Sequence, residues 1–109
     1  MLGWAYVDAA SHATFAAEAA RAPAALRPAL GLLCQLYGLH RVEEGLETYL
    51  AAGALSGAAV APLRAQVNTL CAVLAAEDGR LALQLCDGFG VPDHLLAAPI
   101  AAGWRSIGA

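Results

Sequence analysis

Apolar residues recur along much of this chain at helical spacing. The densest stretch predicts a helix from about Ala25 to His40, with Pro28 in its first turn, where the missing N–H does little harm. Spacings of four, three and four residues define its apolar face: Leu26, Leu30, Leu33 and Tyr37. Three more leucines widen that face around most of the helix: Leu32, Leu36 and Leu39. A helix with so wide an apolar surface is normally central in a bundle, and we expect this one to be central.

The pattern predicts further helices on both sides of this one. The first runs from Leu2 to about Ala22 and ends before Pro23, because the residue before a proline avoids helical geometry. Its expected apolar side consists of Trp4, Val7 and Phe15. Beyond His40 the chain stays helical from Arg41 to Leu50, with inward positions at Val42, Leu46, Tyr49 and Leu50.

Glycine and proline divide the second half of the chain. Gly53 is placed to end a helix in a left-handed conformation, and Ser56 is placed to cap the next one. Since Pro62 is unfavourable inside a helix, we expect a short turn from Gly57 and the main helix from Pro62. Its inward face is again spaced by four, three and four: Leu63, Val67, Leu70 and Leu74.

The dipeptide Asp78-Gly79 should interrupt this helix. The pattern of residues 80–87 then predicts another helix, with Leu81, Leu85 and Cys86 as its apolar positions. After a glycine-flanked turn, Pro92 is expected to begin a short helix that ends before Pro99.

Length and composition agree with a single all-helical domain. Alanine is abundant and favours helix at most positions, whereas aromatic residues make up only 6%. A chain of 109 residues with no long linker and no internal repeat should form one domain over residues 1–109. The predicted fold is therefore all-α, an antiparallel bundle of about four to five helices.

Charge and hydropathy make a membrane or nucleic-acid protein improbable. Hydrophobic residues reach 60%, but charges interrupt each candidate span, and the longest uncharged stretch, Thr48 to Leu63, contains glycines and a proline. We therefore expect no membrane span, and the N-terminus does not resemble a signal peptide. The net charge is −3 and the six basic residues are scattered arginines, so we expect no nucleic-acid partner.

Cysteines and histidines offer no recognisable metal or nucleophile pattern. The three cysteines, Cys34, Cys71 and Cys86, lie among leucines, and we expect all three to fill the core as reduced, poorly reactive thiols in a reducing compartment. The three histidines are dispersed, and no pair has zinc-type spacing: His12, His40 and His94. No metal site is predicted.

An acidic cluster is the one candidate for catalysis that the residues offer. Glu43, Glu44 and Glu47 could in principle supply a general base, but they lie on the polar side of a helix beside Arg41. A solvated face with minor ion pairs is the favoured interpretation. Gly88-Phe89-Gly90 is a turn with no preceding strand, so no phosphate-binding loop is predicted.

Several stretches taken together resemble the C-terminal domain of acyl-CoA oxidases. Leu33-Cys-Gln-Leu-Tyr-Gly-Leu-His40 is similar to the Leu-Cys-x-Leu-Tyr-(Ala/Gly)-x-His helix of that family. Four further stretches follow in the family's order and spacing, at 49–56, 66–74, 82–93 and 95–100. The resemblance is nearly continuous over residues 26–100.

The resemblance implies an enzyme that desaturates fatty acyl-CoA at the α,β position with FAD and passes the electrons to dioxygen, which yields hydrogen peroxide. Such oxidases act in fatty-acid β-oxidation, usually as homodimers, in peroxisomes in eukaryotes and otherwise in the cytoplasm. Their catalytic glutamate and most flavin and acyl-CoA contacts precede this segment, and no motif here matches them. No catalytic residue is therefore assigned, and cofactor-binding residues are unknown. The implied role is structural and dimer-supporting, with the remaining oxidase chain or a second subunit as partner.

The chain departs from the family pattern at two points. Glu77-Asp78-Gly79 replaces the Arg-Pro that commonly opens the following helix, and Ile107-Gly108-Ala109 is not a peroxisomal Ser-Lys-Leu signal. Because Met1 begins the sequence directly at this domain, we expect a fragment, a split subunit or a remnant of the enzyme. The alternative is a stand-alone helical interaction module without enzymatic activity.

Overall fold

The computed structural model describes residues 2–95, apart from the side chains of Leu2 and Asp93. Within these residues the chain forms helices and turns and contains no strand, which confirms the all-α prediction. The α-helices are α1 (Leu2–Arg21), α2 (Arg27–Glu44), α3 (Leu46–Ala51) and α4 (Val60–Asp87). Two 3₁₀ turns, Gly57–Ala59 and Asp93–Leu95, flank α4.

Helix α2 lies between α1 and α4, as its wide apolar face predicts. Both neighbours run antiparallel to it, since Asp8 of α1 meets Arg41 of α2 and Arg64 of α4 meets Glu43 of α2. The molecule measures 55 × 29 × 29 Å and has a radius of gyration of 17.6 Å. A compact domain of about 100 residues has a radius near 13 Å. The helices therefore form an elongated, open arrangement.

Helix α2 is longer than predicted. It continues past His40 to Glu44 and ends at Gly45, whose N–H donates to the carbonyl of Arg41 at 3.1 Å. The boundary at residue 40 was wrong because the apolar spacing runs on without interruption, and only glycine marks the true end. Gly53, at φ +67°, has the left-handed conformation predicted for it after α3.

Helix α4 begins at Val60, two residues before the predicted start at Pro62. Pro62 lies in its first turn and is tolerated there, because an N–H at that position would have no partner within the helix and the donor that proline lacks is not needed. The short turn predicted from Gly57 is confirmed as the 3₁₀ turn Gly57–Ala59. Ser56 precedes that turn, but its side chain makes no capping hydrogen bond.

The predicted interruption at Asp78-Gly79 is confirmed and is wider than the dipeptide. Ala76 is extended, and the three residues after it are left-handed, with φ values of 53° at Glu77, 56° at Asp78 and 75° at Gly79. Left-handed geometry costs a residue with a side chain about 1–2 kcal/mol. Helix α4 therefore consists of two shorter helices, at 60–75 and 80–87, that both lie along α2.

One helical stretch, residues 57–87, would be long and apolar enough to cross a membrane by length and composition alone. Helices that pack inside proteins satisfy the same criterion. The interruption at 76–79 leaves a continuous run of about 24 Å over residues 60–75, at 1.5 Å per residue. The hydrocarbon core of a bilayer is about 30 Å thick. The expectation of no membrane span stays a prediction.

The core of the described residues is small. Its buried apolar side chains are Ala19, Ala29, Cys34 and Leu70. On α4 the inward face is confirmed, since Leu70 is buried and Leu63, Val67 and Leu74 are half-buried. The predicted burial of the cysteines is confirmed for Cys34 and was wrong for Cys71 and Cys86, which are exposed. Cys71 adjoins Leu70 in sequence and so falls about 100° around the helix, away from the inward stripe.

The apolar side predicted for α1 was largely wrong. Trp4 and Val7 are exposed, and Phe15 alone of the three lies against α2. The stripe that faces α2 consists of Asp8, His12, Phe15 and Ala19, which are spaced by four, three and four residues. Its first two residues are polar. A search for apolar positions misses such a stripe.

The short helix predicted from Pro92 can be compared with the structure only over residues 92–95. A 3₁₀ turn at Asp93–Leu95 begins where this helix was expected. Its remaining residues, 96–98, lie outside the described part of the chain.

Candidate functional site

The contact between α1 and α2 concentrates the polar chemistry of the molecule. Arg41 donates two hydrogen bonds to the carboxylate of Asp8, from Nε at 3.0 Å and from a terminal nitrogen at 3.1 Å. Its other terminal nitrogen reaches Glu44 on the next turn of α2. Paired hydrogen bonds of this kind fix orientation as well as charge. Arg41 therefore joins the N-terminal half of α1 to the C-terminal end of α2.

Asp8 also alters the ionisation of Arg41. The hydrogen bonds that Arg41 donates to Asp8, followed by the negative charge of Asp8, raise the pKa of Arg41 above its ordinary value. A pKa that is raised on folding stabilises the fold at every pH below the pKa of the same group in the unfolded chain. This contribution is lost only as the pH rises through the pKa in the folded chain. Because both values lie far above physiological pH, Arg41 contributes no pH dependence there.

One helical turn further along α1, His12 lies over α2. Its ring is nearly parallel to that of Tyr37, with 9° between planes and 6.4 Å between centroids. Phe15 meets the same tyrosine ring at 6.2 Å. The Nε2 of His12 lies 3.8 Å from the Sγ of Cys34. Gly38 allows this approach, since a Cβ there would come within 2.8 Å of Nε2.

Clefts open along this junction. One of about 300 Å³ lies at its outer end and is lined by Trp4, Asp8, Arg41, Glu44, Thr48 and Tyr49 among others. Another, of about 340 Å³, lies at its inner end, where small residues of both helices leave space beside His12 and Cys34. The arginines at these clefts are already engaged. Arg41 pairs with two carboxylates, and Arg27 donates to the carbonyl of Ala22 at 3.0 Å.

The largest of the described clefts is apolar and lies between α2 and the second half of α4. It has a volume of about 500 Å³. Its walls include Leu30, Leu33, Leu74, Leu85, Cys86 and Phe89. Phe89, in the turn after α4, is 83% exposed at the edge, and Leu83, on α4, is 63% exposed. Neighbouring apolar side chains with this much exposure mark a surface suited to packing against protein.

The acidic cluster is divided among separate ion pairs. Glu43 reaches across to Arg64 of α4 at 3.4 Å, so it links two helices. Glu44 pairs with Arg41 and lies 3.8 Å from the Nε2 of His40, whereas Glu47 is exposed. The arrangement agrees with a solvated face bearing ion pairs. The link to Arg64 could not be read from sequence, because the two residues are distant along the chain.

The remaining histidines are not brought together with the cysteines. His40 lies beside Glu44, and His94 is exposed in the 3₁₀ turn after α4. Over residues 2–95 no three His, Cys, Asp or Glu side chains are grouped so that they could hold a metal ion. The pair that the structure does form, His12 with Cys34, was missed because the two residues are 22 positions apart.

The fold and its surfaces define an all-α domain whose apolar face is only partly covered by its own helices. A family model described as acyl-CoA oxidase matches residues 3–103. The chain therefore belongs to the acyl-CoA oxidase family, as the motifs had indicated. Comparison with curated proteins and with solved structures gives no match.

The described residues do not by themselves fit FAD, the cofactor associated with this family. A flavin dinucleotide carries a pyrophosphate, which proteins hold with free N–H groups, arginine or lysine. Both arginines that line clefts are already hydrogen bonded, and the largest cleft is apolar.

Proposed function

We propose that this chain serves as a helical scaffold domain of an acyl-CoA oxidase and supports the packing and pairing of the enzyme without supplying its catalytic groups. The parent reaction is FAD-dependent α,β-desaturation of fatty acyl-CoA, with dioxygen as acceptor, in fatty-acid β-oxidation. The compartment would be the peroxisome in a eukaryote and otherwise the cytoplasm. The partner is the flavin-binding remainder of the oxidase or a second subunit. Membership of the family supports the parent activity.

The observation that carries the scaffold role is the exposed apolar surface along α2 and α4. Phe89 is mostly exposed at the edge of a cleft of about 500 Å³, and Leu83 is mostly exposed on α4. The buried apolar residues of the described chain are few. A domain of this size has a small stability margin, and leaving large apolar side chains in water reduces it further. Cover by another part of an oxidase would bury these residues.

Association of the isolated chain tests this proposal. We expect the chain to self-associate, because symmetric pairing is the commonest way to cover an exposed apolar face. The variant L83E/F89E should sediment as a monomer, since two charges on this face oppose its burial. The matched control is T14E, which places a charge at an exposed position of α1. Sedimentation velocity over a range of concentrations is the measurement.

A wild-type chain that does not self-associate would contradict the scaffold proposal. A wild-type chain that stays monomeric at high concentration and binds no hydrophobic dye would show that its helices cover their own faces. That outcome would favour the stand-alone interaction module.

A second test concerns activity. The isolated chain should form no peroxide when supplied with acyl-CoA and FAD and should retain no yellow flavin, because a cofactor must be positioned by protein before it can react. A peroxide-coupled assay and an absorbance spectrum after gel filtration are sufficient. Turnover that disappears in E43Q, E44Q or E47Q would instead identify the acidic cluster as catalytic. E47Q is the cleanest of these variants, since Glu43 and Glu44 also hold ion pairs.

A further inference from the structure

We propose that Cys34 and His12 form a thiol site that reacts with hydroperoxides. The first support is the geometry between α1 and α2. The Sγ of Cys34 and the Nε2 of His12 are 3.8 Å apart, within the range of a hydrogen bond to sulfur. The proposal concerns a reaction of this chain's own side chains, and it does not depend on the scaffold role.

The imidazole is held in position from two sides. Its ring stacks on that of Tyr37, and its Nε2 edge lies over Gly38, where even a methyl group would clash. The ring is exposed on its outer side, but these two contacts hold its Nε2 edge toward the thiol. Within the described residues neither His40 nor His94 is paired with a cysteine, and His40 lies beside Glu44 instead.

Access to the sulfur is selective by size. Cys34 is 7% exposed, and it borders the cleft of about 340 Å³ at the inner end of the junction. Four of the other residues that line this cleft are alanine or glycine: Ala16, Ala19, Ala20 and Gly31. The cleft brings a small molecule such as hydrogen peroxide to the sulfur, while the low exposure of Cys34 hinders a bulky alkylating reagent, which must contact more of the thiol.

The chemistry needs one base and one small oxidant. The Nε2 of His12 accepts the proton of the Cys34 thiol, and the thiolate attacks one oxygen of the peroxide. An S–O bond forms while the O–O bond breaks, and the departing hydroxide takes the proton back from His12 as water. The sulfur loses two electrons and becomes a sulfenic acid, while the peroxide is reduced. With hydrogen peroxide the balance is R–SH + H₂O₂ → R–SOH + H₂O.

The other two cysteines are internal controls. Cys71 and Cys86 are exposed on α4, and within the described residues neither is paired with a histidine. If exposure alone decided reactivity, both would oxidise before Cys34. If the paired imidazole decides it, Cys34 oxidises first although it is the most buried of the three.

The test compares two reagents on the folded wild-type chain. Dilute hydrogen peroxide is added and removed with catalase, the protein is unfolded in dimedone to trap sulfenic acid, and mass spectrometry of peptides locates the adduct. A bulky maleimide is used in parallel on the native protein. We expect Cys34 to be oxidised at least about tenfold faster than either Cys71 or Cys86, as general-base assistance allows. The maleimide should label Cys71 before Cys34, and Cys71 is the decisive comparison because Cys86 lines the apolar cleft between α2 and α4.

Substitutions at histidine decide whether the imidazole is responsible. H12F keeps an aromatic ring against Tyr37, and H12Q keeps a polar side chain, but neither can take the thiol proton. Each should slow Cys34 oxidation at least about tenfold, while the matched control H40F leaves it unchanged. Circular dichroism verifies that the variants remain helical. Oxidation of Cys34 no faster than that of Cys71, or an unchanged rate in both folded His12 variants, would overturn the proposal.

Discussion

Truncation of Leu70 to alanine is expected to destabilise the chain by about 2–5 kcal/mol, the range found for buried leucines. Leu70 is 4% exposed and is the one buried large aliphatic side chain among the described residues. It lies on the face of α4 that meets α2, so its loss leaves a cavity at the centre of the open helical layer. Since small domains unfold with about 5–15 kcal/mol, L70A should remove a large share of the stability.

Leu83 provides the matched control on the same helix. It is 63% exposed, so L83A should change the free energy of unfolding by no more than about 0.5 kcal/mol. Urea unfolding followed by circular dichroism measures both variants. Both variants and the wild type are measured at concentrations where the chain sediments as a monomer, because association contributes to apparent stability. If L70A and L83A cost the same, Leu70 does not lie in a packed core and the assigned faces of α4 are wrong.

The elements of the fold were largely predictable from sequence because helix periodicity is a local signal. The four-three-four spacing of leucines located α2 and the inward face of α4, and glycine marked the left-handed end at Gly53. The interruption near Asp78-Gly79 was predictable for the same reason. The end of α2 was not, since apolar residues continue at helical spacing on both sides of Gly45.

The candidate site was largely unpredictable because it depends on contacts between distant segments. Nothing local to Asp8 or Arg41 indicates that they meet, and the same holds for His12 and Cys34. The burial of cysteine also could not be read from neighbouring leucines. Cys34 points between two helices, whereas Cys71 and Cys86 lie on a helix that has protein on one side only in this structure.

The approach of α1 to α2 at Gly38 leads to a second large effect. A Cβ at this position would lie 2.8 Å from Nε2 and 2.9 Å from Cδ2 of His12. Forcing atoms into an occupied space costs about 1–3 kcal/mol. The higher helix propensity of alanine returns about 1 kcal/mol. We therefore expect G38A to lower stability by up to about 2 kcal/mol, because the His12 ring must leave its stack on Tyr37.

Two controls separate the clash from the change in propensity. Gly31 lies on the same helix with nothing within 4 Å of its added Cβ, so G31A should stabilise the chain by about 0.5–1 kcal/mol. In an H12A background the obstacle at Gly38 is gone, and G38A should then behave like G31A. The double-mutant cycle should give a coupling of about 2 kcal/mol between positions 12 and 38. A coupling near zero, measured by urea unfolding at constant protein concentration, would mean that His12 does not lie over Gly38 in solution.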